Sequence, residues 1–202
     1  MNDPGIDLGD GIRKFNIFTL PVFTVHIEDI DLDQINSDIE AMEEFKVSFD
    51  PKDTHYEDRK FPDTPECNKL KQRMLEEVER VVKRKMICET IWSITLHDGQ
   101  TVNYHTHDSN LHLYPEENWS VAFYTKVPEG SADFIFYLAF CNRITQLVSF
   151  PPEAGRMTIF NSYIPHQTGR HESKESRVVV SANFIPQDPT KKPSPDWNDY
   201  YV

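Results

Sequence analysis

Two histidines stand two residues apart in Asn103-Tyr104-His105-Thr106-His107, and a third follows much later in Ile164-Pro165-His166. Side chains alternate along a strand, so residues 105 and 107 of an extended segment point to one face. Neutral imidazole suits iron, zinc, copper and nickel. One polar loop beyond His166 comes Arg177, whose planar, always-charged fork matches a carboxylate. A lone strand histidine is commonly hydrogen-bonded surface or core. The pair, the third histidine and the arginine together suggest a metal centre with an anion-binding cation beside it, and hence an oxidative metalloenzyme.

These residues need a rigid wall. From Ile91 onward the hydrophobic period is two, with strands predicted at 91–96, 101–107, 119–126, 133–140, 144–150, 156–164 and 177–185. Asp98-Gly99 is a hairpin signal between the first two. On 101–107, Thr101, Asn103, His105 and His107 share a face, and Val102 and Tyr104 take the other. On the last strand Arg177, Ser181 and Asn183 share a face that Val179 interrupts, opposite Val178, Val180, Ala182 and Phe184. Two polar inner faces fit a barrel with a wet ligand cavity. His166 is expected just past a strand end, and an antiparallel return brings Arg177 near the strand that carries it.

The first half is different. Residues 18–27 read as a strand, with Pro21 indicating an edge position or a late start. A short helix follows from Asp33, with Ile35, Ile39 and Met42 at helical spacing. Residues 46–63 are charged and aperiodic, and read as a loop. Thr64 and Pro65 are N-cap and first-turn signals for a helix whose Leu70, Met74, Val78, Val81 and Val82 form one stripe. Glu76/Arg80 and Glu79/Lys83 are spaced as i,i+4 pairs on it. Two helices followed by many strands give an α+β, mainly β outline with a jelly-roll core. The 202 residues read as a single domain: a strand and helices over 1–89, the core over 90–186 and a tail over 187–202.

The formal net charge of −12 argues against non-specific nucleic-acid binding. No apolar run reaches the length that spans a bilayer, and the N-terminus lacks signal-peptide character. Cys67, Cys88 and Cys141 are odd in number and lack metal-type spacing, which fits a reducing cytoplasm. Cys67 falls on the apolar helix face as a core residue.

Residues 91–185 resemble the Fe(II)- and 2-oxoglutarate-dependent oxygenases, especially a group common in bacteria and phages. The resemblance is carried by His105-Thr106-His107, Trp119-Ser120-Val121-Ala122-Phe123-Tyr124, Val127-Pro128-Glu129-Gly130, the stretch from Ile159 to His166, and Arg177 within Ser176 to Phe184. It implies a double-stranded β-helix with the helices against one sheet, and a cytoplasmic enzyme of a bacterial or phage-infected cell. It implies Fe(II) held by His105 and His166, 2-oxoglutarate anchored by Arg177, and O2 consumed in hydroxylating an unknown substrate. The family's usual carboxylate ligand is replaced by His107, with Asp108 adjacent as the alternative third ligand. Asn103, Tyr124 and Asn183 are candidate co-substrate contacts. Residues 110–118 look like an insertion, and Val121 stands where the related group has glycine. His97, His55 and His171 read as turn or loop residues, and His112 as part of the insertion. Two other readings stay open: a cupin-like three-histidine metal enzyme that does not use 2-oxoglutarate, and a non-catalytic virion or binding module.

Overall fold

In the computed structural model the described residues are 20–42, 57–107, 117–141 and 144–188, with short strands at 6–7, 13–14 and 44–45. β1 (Ile6–Asp7) and β2 (Arg13–Lys14) pair with each other. β3 (Val22–His26) begins directly after Pro21 and lies at a sheet edge, where a missing N–H costs nothing.

α1 (Leu32–Glu40) starts at Asp31, whose carboxylate accepts from the Gln34 N–H at 3.0 Å. Ile35 and Ile39 are its buried face, and Met42 lies past its end. α2 (Pro65–Val82) starts at Thr64, which also donates its hydroxyl to Asp38 of α1. Leu70, Met74 and Val78 are fully buried with Cys67, whose thiol burial pushes up to about 11. The ion pairs on α2 differ from the expected i,i+4 set: Glu76 meets Arg73, Arg80 meets Glu77, and Glu79 meets Lys85 beyond the helix end.

Between the helices, β4 (Glu44–Phe45) and β5 (Glu57–Lys60) add two strands to the sheet. The sequence predicts a loop over Glu57-Asp58-Arg59-Lys60, because four charged residues carry no hydrophobic period. They form a strand because β6 (Met86–Leu96) offers an open edge, with Glu57 opposite Thr95 and Lys60 opposite Trp92. Arg59 then donates to the carbonyls of Glu40 and Met42 at 2.8 and 2.9 Å, which caps the C-terminal end of α1.

The remaining strands are β7 (Trp119–Lys126), β8 (Phe134–Cys141), β9 (Ile144–Phe150), β10 (Arg156–Asn161), β11 (His166–Thr168) and β12 (Arg177–Pro186). They form an antiparallel seven-stranded sheet, β3-β10-β7-β12-β6-β5-β4, and a three-stranded sheet, β11-β8-β9. The outer face of the large sheet packs on the helices through Val121, Phe123, Met157, Ile159, Val178, Val180 and Phe184. Its inner face packs on the small sheet through Ile94, Ala122, Phe134, Phe136, Phe160 and Val179.

The turn at Asp98-Gly99 exists, closed by Gln100 N–H to His97 O at 3.0 Å with Gly99 at φ +83°. It does not make a hairpin. Segment 101–107 leaves β6 and lies beside β11: Thr168 donates to Val102 O, and His105 and His166 exchange two 3.0 Å backbone bonds. The chain thus alternates between the two sheets, and the site lies between them. Among the described residues, no helix is long and apolar enough to cross a membrane.

Candidate metal centre

His105 and His166 form a directly opposed antiparallel pair, which sets both rings on one face, the one turned toward the large sheet. His166 opens β11 of the small sheet and does not hang in a loop at the end of β10, because Ser162 to Ile164 already turn the chain out of β10. His107 is held by its N–H to Ser162 O at 2.9 Å, and its ring lies against Trp92 with centroids 5.4 Å apart. Strict alternation breaks at the bend at Tyr104. Val102, His105 and His107 line the cavity, whereas Asn103 and Tyr104 are exposed.

The three rings converge through Nε2. His107 Nε2 lies 3.0 Å from His105 Nε2 and 3.2 Å from His166 Nε2. Each Nδ1 is engaged outward: His105 with Asn103 O at 2.6 Å, His166 with Ile164 O at 2.8 Å, and His107 with Asn183 Oδ1 at 2.7 Å. A carbonyl oxygen only accepts, so in the neutral rings the hydrogen sits on Nδ1 and the lone pair on Nε2. Three lone pairs at this separation repel one another unless a cation lies among them. Two nitrogens about 2.1 Å from one ion, at right angles, are about 3.0 Å apart. The residues present fit a metal ion, and they are the one group of potential ligands of this kind among the described residues.

Burial holds the imidazoles neutral. It lowers His105 below its ordinary value, His107 to about 4, and His166 to about 3 with help from the other two rings. Below about pH 6.5 the unfolded chain takes up protons that the folded centre refuses, so stability falls as pH falls toward those depressed values. The metal-free protein should lose melting temperature between pH 7 and pH 4.5, and less steeply in His166→Gln than in the wild type. Scanning calorimetry across that range checks this, and identical slopes would contradict it.

The cavity holds about 330 Å3, and its lining residues include Trp92, Tyr124, Phe160, Thr168 and Val179. At its Arg177 side lies a fully buried guanidinium, reached not by pairing with the His166 strand but from the large sheet, where Arg177 sits opposite Leu96. Arg177 Nη1 donates to Ala132 O at 2.8 Å, and its carbon lies 5.2 Å from the Tyr124 ring centroid. Arg177 Nε and the Tyr124 hydroxyl are buried and find no hydrogen-bond partner among the described residues. Burial lowers the guanidinium from its ordinary value but leaves it charged, and it raises Tyr124, which keeps its hydroxyl proton. Two buried donors without acceptors suit an anionic guest.

The structure brings His105, His107, His166, Arg177, Tyr124 and Asn183 around one cavity. Asn103 contributes only its backbone carbonyl. Asp108, His112 and His55 lie outside the described residues. His171 is in a loop but wholly buried, with Nε2 2.8 Å from Glu175 O. Two further residues, Ser120 and Ser162, join the centre through Asn183. They escaped the sequence because a lone serine, on a strand like Ser120 or in a turn like Ser162, carries no spacing signal of its own.

No family model matches the sequence, and neither does any curated protein. Solved structures do match. HygX from Streptomyces hygroscopicus, with nickel and 2-oxoglutarate bound, is 12% identical, with 84% of each chain covered and a TM-score of 0.66. The non-heme alpha ketoglutarate dependent carbocyclase SnoK from nogalamycin biosynthesis is 12% identical, with 91% of this chain and 87% of that one covered and a TM-score of 0.66. An oxidoreductase of the 2OG-Fe(II) oxygenase family from Burkholderia pseudomallei is 12% identical, with 80% and 84% covered and a TM-score of 0.57. The chain has the fold found in structures of the 2OG-Fe(II) oxygenase family.

Proposed function

We propose that this chain is a non-haem iron enzyme that couples decarboxylation of 2-oxoglutarate to hydroxylation of a small-molecule substrate. The observation that carries it is the pairing, in one cavity, of three convergent Nε2 lone pairs with a buried guanidinium that meets no carboxylate among the described residues. Similar folds are known with nickel or iron, and with 2-oxoglutarate, bound. The alternation of strands between two sheets fits the jelly-roll, or double-stranded β-helix, of this proposal.

In this reading His105, His107 and His166 hold Fe(II) through Nε2. Iron bound there supplies oxygen activation, with 2-oxoglutarate giving up two electrons as it becomes succinate and carbon dioxide. Arg177 binds the distal carboxylate with a charge-assisted fork, and Tyr124 donates its hydroxyl beside it. Asn183 faces the metal end. Phe134, Phe160 and Val179 keep water from the walls. No acidic side chain lines the cavity among the described residues, so a dianionic co-substrate offsets two of the three positive charges of a divalent ion and the guanidinium. A cytoplasmic location belongs to the same proposal.

Purified protein given Fe(II), ascorbate, 2-oxoglutarate and O2 should release succinate, faster with a substrate panel than without. Absence of both 2-oxoglutarate binding and succinate sinks the reading. The all-imidazole ligand set among the described residues favours one competitor, a cupin-like metal enzyme that oxidises its substrate without 2-oxoglutarate. In that case metal binds, 2-oxoglutarate does not, and Arg177→Ala stays active.

A further inference from the structure

We propose that Asn183 is the positioning residue that makes His107 a metal ligand, by holding the hydrogen of His107 on Nδ1 and turning its Nε2 lone pair inward. The inference rests on the three-histidine reading of the centre and not on the oxygenase chemistry.

A neutral imidazole ligates only through the nitrogen that lacks hydrogen. For His105 and His166 that choice is made by backbone carbonyls, which have no alternative role. His107 is different, because its Nδ1 meets a side-chain amide, which offers an acceptor at one end and a donor at the other. What orients the amide therefore decides the ring.

The orienting groups are Ser120 and Ser162. Asn183 and Ser120 are directly opposed in the β12–β7 ladder, and Ser120 Oγ donates to the same Asn183 Oδ1 at 2.9 Å. Ser120 Oγ lies 2.8 Å from Ser162 Oγ, both fully buried. One direction satisfies every group: Ser162 donates to Ser120, Ser120 to Asn183 Oδ1, and His107 Nδ1–H to the second lone pair of that oxygen. The Ser162 backbone carbonyl accepts the His107 backbone N–H at 2.9 Å, so the residue that starts the relay also holds the backbone of the one it orients. A register shift against β6 falls between Asn183 and Phe184, the kind of irregularity that re-aims a side chain at a site. The flipped amide would donate to Nδ1 and put a hydrogen on Nε2, in the middle of the centre.

Two near-isosteric variants separate an acceptor role from simple packing. Asn183→Leu keeps the branched shape and loses the acceptor, and Asn183→Asp keeps the acceptor. Affinity for Co(II) or Ni(II) is read by chelator competition, with the Co(II) absorption spectrum recording the ligand set and circular dichroism confirming the fold. Asn183→Leu should weaken binding about ten- to hundredfold and change the Co(II) spectrum, because partners of ligating histidines commonly carry that much. Asn183→Asp should stay within a few-fold of wild type and keep its spectrum. In metal-free protein, nitrogen-15 histidine NMR should find His107 protonated at Nδ1 in the wild type. Equal affinities in all three proteins, equal losses in both variants, or a His107 protonated at Nε2 would each overturn the proposal. Loss confined to Asn183→Leu in a protein that never binds 2-oxoglutarate would keep it and discard the oxygenase reading instead.

Discussion

Replacing His166 with glutamine is expected to weaken metal binding by about a hundredfold or more while leaving the metal-free protein folded. Four-ligand sites release about 10–16 kcal/mol on binding, so one ligand's share is about 3 kcal/mol. His166 is also the ring whose geometry is most constrained. Its backbone pairs with His105, its Nδ1 is bonded to Ile164 O, and its faces meet Phe134 and Phe160 at centroid distances of 5.1 and 4.8 Å. A displaced side chain cannot swing back to recover the lost bond. Titration of the apo protein with Ni(II) reads the loss, and melting in the absence of metal shows whether the fold survived. Wild-type affinity in the variant would mean that the ion sits elsewhere.

The second large effect is at Arg177. Arg177→Met should abolish 2-oxoglutarate binding in practice, leave metal affinity within a few-fold, and raise the melting temperature of the ligand-free protein. The first part follows from removing one partner of a buried ion pair, which costs about 2–5 kcal/mol. The last part follows from the desolvation cost of a guanidinium that is 1% exposed and meets no carboxylate among the described residues. A methionine of similar length meets the Tyr124 ring without that cost. Arg177→Lys should recover part of the binding, because an ammonium supplies charge but not the fork. Calorimetric titration with 2-oxoglutarate and thermal melting of the same three proteins check all of this. A destabilised Arg177→Met that still binds 2-oxoglutarate would assign Arg177 to the fold instead.

Where sequence could be read, one residue's neighbours along the chain carried the information. Thr64 and Pro65 signal a helix start through local chemistry, and Pro21 marks an edge through its missing donor. In 177–185 the alternation of Val178, Val180, Ala182 and Phe184 against Arg177, Ser181 and Asn183 survives because β12 is paired on both sides, with β6 and β7, between the helix-facing core and the cavity. Reading failed where a distant partner decided the outcome. Glu57–Lys60 became a strand because β6 had an edge to fill. Residues 101–107 followed β11 and not the hairpin that Asp98-Gly99 suggests, and the bend at Tyr104 turned Asn103 out and Val102 in. The Asn183–Ser120–Ser162 relay joins β12, β7 and the turn after β10, so no local window contains it.

The central claim is that His105, His107 and His166 share one metal ion whose dianionic partner ends on Arg177. A crystal structure of the protein with Ni(II) and 2-oxoglutarate tests it most directly. The expected result is an ion on the three Nε2 atoms, with the distal carboxylate forked by Arg177. An ion ligated by Asp108 in place of His107, or a carboxylate away from Arg177, would contradict it.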